Sequence, residues 1–355
     1  MGEWSRQERF AALLSGERAD RPIVSGWRHF VDRESNAGDL ADSTVAYTKQ
    51  FDWDWVKINP RATYYAETWG NTYDFADYRT VFPKQTRAVI RKPEDVWNIQ
   101  AQQAAAAAPL AEQLEAVSLI RQGLPDTPLT QTIFSPLTVL LFLAGQSAYA
   151  GDTVYGSREP VTVESLLEEQ RAGVHQALKA IALTLADYVQ ELGKRGLDGI
   201  FYAVTGTAHP GVFDDAAFQE LSRPYDEMVL EAAGYGKRIL HTCGAYSQPE
   251  RFNNYPIEGI SWDTAAPGNP GLHAELRPTK VGGVDHALFA AHDPGRIRAQ
   301  AEFALRLMAD EPFLLAPNCA IPITVEDRSL QALRDSIPHE SHMKRGSNNE
   351  KYREV

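Results

Sequence analysis

The feature that most constrains this chain is an alternation of short, apolar, β-branched runs with stretches whose apolar residues recur at helical spacing. Runs at 22–25, 54–58, 129–134, 198–204, 238–241, 258–262, 280–284 and 313–316 have the length and composition of strands. Stretches at 163–192, 214–233, 293–309 and 325–335 repeat their apolar residues every three or four positions. A helix between two short apolar strands is a crossover, so such strands pair in parallel. Eight of them in a chain of this size fit an α/β fold closed into a single (β/α)8 TIM barrel. The 355 residues are 43% apolar, enough to fill that core. The barrel is expected to span 1–340.

Local signals refine the outline. Ser5-Arg6-Gln7-Glu8 has capping-box spacing, and Phe10, Leu13 and Leu14 then share a face, which predicts an opening helix that ends near Gly16. After the second run, an insertion at 59–91 carries Tyr64, Tyr65, Trp69, Tyr73, Phe75 and Tyr78. It reads as a small hairpin or lid, or equally as an ordinary packed loop. The alanine run 104–108 reads as helix rather than linker, alanine being the best helix former. From Ser341 onward the sequence is polar and aperiodic, so 341–355 is expected to be a disordered tail.

Charge and hydropathy exclude two classes of partner. The net charge is -12 and no basic stripe is present, which argues against nucleic acid. No apolar run approaches the roughly 20 residues that span a bilayer. The first ten residues are polar and lack a signal-peptide core, so the expected compartment is the cytoplasm.

Cys243 and Cys319 are the only cysteines, and two thiols in a large cytoplasmic chain do not suggest a structural disulfide. His241-Thr242-Cys243-Gly244 leaves the fifth strand through a glycine turn, and residues at i and i+2 of an extended chain point the same way. Cys319 follows the eighth strand, so all three side chains fall on the C-terminal rim, where barrel enzymes assemble their sites. A His/Cys/Cys set suits zinc with a fourth position left open. Two thiolates cancel the charge of the ion, which makes it a poor source of hydroxide and better suited to holding a substrate thiol as thiolate. The residues alone also allow a plainer reading, in which each cysteine is a small buried hydrophobe.

Other rim residues are weaker candidates. Asp263 and Asp285 close the sixth and seventh strands, and either can orient the histidine or supply a fourth ligand; a capping aspartate is the alternative for each. Arg28 and His29 end the first strand, where they would meet an anionic substrate group or form an ion pair. His209, Tyr225 and Gln131 stand near other strand ends.

At these residues the chain resembles the uroporphyrinogen decarboxylase superfamily and, within it, the corrinoid-linked zinc methyltransferase branch. Arg9-Phe10 through Gly16, with Asp20-Arg21-Pro22, is similar to the family's opening helix and first strand. Phe51-Asp52-Trp53-Asp54, Phe134-Ser135-Pro136-Leu137-Thr138, Gly196-Leu197-Asp198-Gly199-Ile200 and Arg223-Pro224-Tyr225 resemble its next segments. The most specific pieces are His241-Thr242-Cys243-Gly244 and Pro317-Asn318-Cys319-Ala320-Ile321-Pro322, similar to the HxCG and PGCxIP segments that hold zinc in that branch.

The resemblance implies a barrel enzyme that moves a methyl group between methylcobalamin and a thiol, or another acceptor such as a folate. Zinc would activate the acceptor. No DxHxxG segment is present, since Asp285-His286 lacks the continuation, so the corrinoid would arrive on a separate partner protein. Two departures bear on this. Ser25-Gly26-Trp27-Arg28-His29-Phe30 lacks the arginine-rich motif of the decarboxylases, which argues against the alternative of a metal-free decarboxylase. Asn318 stands where the branch carries glycine, which predicts an altered turn at the third ligand. A third reading is a non-catalytic binding protein stapled by zinc.

Overall fold

A computed structural model describes residues 4–338. The predicted tail at 341–355, and the last two residues of the expected barrel span, lie outside the described residues. Ten strands occur in chain order: β1 (Ile23–Val24), β2 (Val56–Ile58), β3 (Thr72–Arg79), β4 (Phe82–Arg87), β5 (Leu129–Phe134), β6 (Gly199–Thr205), β7 (Lys237–Thr242), β8 (Gly259–Trp262), β9 (Thr279–Val284) and β10 (Phe313–Pro317). Eight of them form one parallel sheet in the order β1-β10-β9-β8-β7-β6-β5-β2, and each coincides with a run read from the sequence.

The two ends of that sheet meet at Asp54. Its backbone N–H donates to the Val24 carbonyl at 3.0 Å, and its carboxylate accepts from the Val24 N–H at 2.9 Å. Ser25 Oγ adds a bond to the Trp55 carbonyl at 2.7 Å. A two-residue β1 offers few ladder bonds, so a side chain completes the closure. Arg21 holds the same carboxylate through both terminal nitrogens, at 2.7 and 3.2 Å, with both side chains buried. This is the barrel of the sequence analysis.

Strand side chains alternate between lumen and exterior. Val56 and Ile58 face outward into the large cluster beneath the helices, while Trp55 faces inward with Ile23, Trp27, Phe201, Ile239, Val281, Leu314 and Ala316. The opening helix, Arg6–Leu13, plugs one end of this lumen with Phe10, Leu13 and Leu14. Its capping box is present as predicted: the Glu8 N–H donates to Ser5 Oγ and the Ser5 N–H donates to the Glu8 carboxylate. Thr279 Oγ1 donates to the Leu13 carbonyl and Lys237 Nζ to Ser15 Oγ, which fixes the plug at the N-terminal ends of β9 and β7. The opposite rim stays open.

The aromatic insertion resolves as a short helix, Tyr64–Glu67, followed by the antiparallel hairpin β3–β4. Two expectations need correction. The alanine run is a turn, and the helix Ala108–Gly123 starts only at its last residue. The Gln102 and Ala104 N–H groups donate instead to Thr184 and Asp187 of the helix Val163–Lys194, so tertiary bonds override alanine's propensity. The stretch 214–233 is two helices, Asp215–Leu221 and Arg223–Ala232, broken at Ser222 just before Pro224. Ser222 Oγ, with the hydroxyls of Tyr202 and Tyr255, donates to the buried Asp226, whose carboxyl pKa burial pushes up to about 6. Among the described residues no helix is long and apolar enough to cross a membrane.

Removing Asp54 strands a buried guanidinium and a backbone N–H at the seam. Asp54→Ala is expected to lower unfolding free energy by about 3–5 kcal/mol in urea titrations. Asp310→Ala, which breaks the exposed pair with Arg18, should leave the midpoint unchanged.

Candidate metal centre

The three candidate ligands are positioned by irregularities at strand ends. β6 and β7 pair in register as far as Ala203 and His241, after which Val204 is an extra residue and Thr205 pairs with Thr242. This bulge puts Thr205 at φ +55°, and its carbonyl accepts from the Cys243 N–H at 3.0 Å. A positive φ in a β-branched residue costs free energy and marks a constrained position. Gly244, at φ +83°, then turns the chain away with the Tyr149 ring beside it. Cys243 is thereby held over the mouth.

Cys319 is fixed by its neighbour. The Asn318 N–H donates to the Val284 carbonyl at 2.7 Å, and its side-chain oxygen accepts from the Gly283 N–H at 2.9 Å. Its amide nitrogen donates to Thr264 Oγ1 at 2.9 Å and Asp263 Oδ1 at 3.2 Å. One buried amide therefore ties the end of β10 to β9 and β8, a service glycine cannot perform. The departure at Asn318 secures the third ligand.

The three side chains converge. Cys243 Sγ lies 3.6 Å from Cys319 Sγ, and Cys319 Sγ lies 3.8 Å from His241 Nε2. The three ligand atoms all fall within 4.8 Å of one another. Tetrahedral zinc places two sulfurs about 3.7 Å apart and sulfur and nitrogen about 3.6 Å apart, so the set fits such an ion after a small closing movement of His241 and Cys243. The His241 ring lies 5.6 Å from Phe201, and its Nδ1 is 3.1 Å from Ser261 Oγ, which leaves Nε2 free to bind a metal.

The thiols act on one another. Cys319 donates to Cys243, which lowers the pKa of Cys243 against the cost of burial, and Tyr149 adds a hydroxyl donor to the same sulfur. The same thiol–thiol bond, together with burial, pushes Cys319 up. Metal binding at this pair would displace whatever thiol protons the two sulfurs hold.

Other candidates are placed differently. Asp263 does not orient His241, because Ser261 occupies that position; its carboxylate accepts from Asn318 and the Ala265 N–H, while repelling a negative charge on Cys243. Asp285 accepts from the Ala287 N–H as a capping aspartate. Arg28 donates to the Ile323 carbonyl at 3.1 Å and lies over Phe30, and His29 pairs with the buried Glu34 at 3.1 Å, so both are tied up by the protein. Tyr225 belongs to the helix Arg223–Ala232 outside the barrel, where its hydroxyl meets His175 Nδ1 at 2.8 Å. Gln131 bonds to Tyr188 away from the lumen. His209 stacks edge-on against Tyr246 on loops that follow β6 and β7.

Sequence reasoning missed Ser261, Tyr149 and Lys57. Lys57 lies between two apolar residues of β2 and shares the inward face with Trp55, so a charge at an inward strand position was the available signal. Beside Tyr149, the hairpin β3–β4 and the 147–155 segment enclose a cavity of about 470 Å³, its mouth included, lined by Tyr73, Phe82, Phe142 and Tyr155.

Ser261→Ala is expected to weaken metal affinity by about 10–100-fold in competition with a chromophoric chelator, without lowering the stability of the metal-free protein. Affinity in the parent protein should rise with pH through neutrality, because metal uptake releases thiol protons.

Residues 5–339 match the family model for uroporphyrinogen decarboxylase (URO-D). A search of curated proteins found no match. Among solved structures, a methyltransferase from Methanosarcina mazei superposes with a TM-score of 0.77 at 19% identity, covering 94% of this chain and 98% of that one. A B12-independent methionine synthase from Shewanella sp. W3-18-1, in complex with selenomethionine, gives a TM-score of 0.52 at 14% identity over 88% of each chain. At such identities the likeness is one of fold. The family match spans nearly the whole barrel, and the chain belongs to the uroporphyrinogen decarboxylase family.

Proposed function

We propose that the protein is a zinc-dependent methyltransferase that moves a methyl group between a corrinoid and a thiol or similar acceptor. The observation that carries this reading is the His241, Cys243 and Cys319 set: three ligand atoms gathered within 4.8 Å of one another at the C-terminal ends of the strands. Zinc held there, its charge cancelled by two thiolates, would bind an acceptor thiol as a nucleophilic thiolate rather than generate hydroxide. The His241 ring is oriented by its Nδ1 contact with Ser261 Oγ, and Cys243 is oriented by Tyr149 and the Thr205 carbonyl. The Methanosarcina protein with the similar fold is a methyltransferase, in keeping with this reading. The corrinoid would come on a separate partner protein docked at the rim that carries His209 and Tyr246.

Decarboxylation fits less well. Arg28, the one arginine of the first strand segment, spends its guanidinium on the Ile323 carbonyl and the Phe30 ring. A structural staple fits less well too, since structural zinc usually has four protein ligands and the group found among the described residues has three.

The test is spectroscopic, because demethylation of methylcobalamin changes its visible absorption. Zinc-loaded protein with methylcobalamin and a panel of thiols should show that change, and Cys243→Ala or Cys319→Ala should return it to background. No change with any thiol, in protein carrying one zinc per chain, would rule the reading out.

A further inference from the structure

Lys57 places an amine inside the barrel, and among the described residues no carboxylate pairs with it. Its Nζ lies 4.8 Å from the centre of the Phe201 ring and 5.6 Å from that of Trp27, on the ring that also carries His241. Asn59 Oδ1 accepts one of its three N–H bonds, and among the described residues no second acceptor is present. Aromatic faces and one neutral amide hold an ammonium in place without neutralising it. A cation kept this way in a largely apolar lumen calls for an anion to complete the site.

The Lys57 amine and the His241 imidazole lie against the same Phe201 ring, which puts the amine on the lumen wall next to the candidate metal set. Loss of hydration pushes its pKa down to about 7, and negative charge gathered at the sulfurs would draw it back toward the ammonium form. With a divalent ion between two thiolates, that charge is already balanced. A third thiolate, from an acceptor, makes the cluster negative by one, and Asp263 beside Cys243 adds further repulsion. One positive charge is then required, and Lys57 is the lysine on that face.

Resting on the methyltransferase reading, we propose that the Lys57 ammonium is the counter-ion of the acceptor's reacting thiolate, so the site selects thiols by stabilising their sulfur anion rather than by reading a distant acidic group. Lys57 forms and breaks no covalent bond in this role. The acceptor's proton leaves to solvent, and methylation of the sulfur removes the anion that Lys57 was balancing. The neutral thioether product is then held less tightly than the thiolate, which favours its release.

Cobalt(II)-loaded protein gives a readout independent of turnover, because each thiolate bound to cobalt adds near-ultraviolet absorption. Ethanethiol, which carries no second charge, and 3-mercaptopropionate, which does, are titrated into the parent protein, Lys57→Met and Lys57→Arg, each checked for one metal per chain and an unchanged circular dichroism spectrum. The expected result is a loss of affinity of about tenfold or more for both thiols in Lys57→Met, with most of it restored in Lys57→Arg. Equal affinity in Lys57→Met and the parent would overturn the inference and leave the methyltransferase reading standing. Weakening confined to 3-mercaptopropionate would overturn it as well, by assigning Lys57 to the carboxylate. No thiol-dependent absorption in the parent would remove the reading beneath it and the inference together. Should Lys57→Met fold poorly, Lys57→Gln, which keeps a polar group beside Asn59, is put through the same titration with the same criteria.

Discussion

The barrel depends on one buried carboxylate. Asp54 joins the first and last strands of the sheet by accepting from the Val24 N–H and from Arg21 while its own N–H reaches the Val24 carbonyl. Without that seam the sheet would have two free edges, and the circular arrangement that brings β7 and β10 to a common rim would not be fixed. The seam also sets the height of β2. Trp55 and Lys57 are the next two inward-facing residues after Asp54, so the residue that closes the barrel also sets where Lys57 meets the Phe201 ring.

Much of this architecture was legible in the sequence, for a physical reason. Parallel strands buried on both faces are short apolar runs, and all eight stand out against the amphipathic helices between them. The metal set was legible because cysteine is scarce here and one of the two stands two residues from a histidine at a strand end. What was not legible depends on three-dimensional partners. The alanine run lost its helix to hydrogen bonds that the Gln102 and Ala104 N–H groups donate to Thr184 and Asp187, some eighty residues away in sequence. Tyr225, read from the sequence as lying near a strand end, stands instead on a helix outside the sheet, within the stretch whose periodicity already marked it as helical. The choice of Ser261 over Asp263 beside His241 reflects strand pairing, since Ser261 is the direct neighbour of His241 in the β7–β8 ladder.

Asn318 shows how a departure from a family pattern is absorbed. Glycine before the last ligand would allow a tight turn through backbone freedom alone. The asparagine here is held through four hydrogen bonds, three from its side chain, to segments at the ends of β8 and β9. Gly282 and Gly283, at φ +151° and +108°, supply the unusual backbone on the facing strand. The conformational freedom lies on one strand and the cross-link on the other.

The helical plug at the N-terminal end gives the lumen the form of a well with a floor. Phe10, Leu13 and Leu14 fill its base and Trp27, Trp55 and Phe201 line the wall above, so nothing that reaches the sulfurs can arrive from below. Both reactants of a two-substrate reaction must use the same doorway as the product. On the proposed reading, the small acceptor has to be seated before a bulky corrinoid carrier covers the mouth, and its methylated form has to wait for the carrier to depart. On that reading a blind well imposes an order of visits, and chemistry at its mouth becomes a matter of traffic as well.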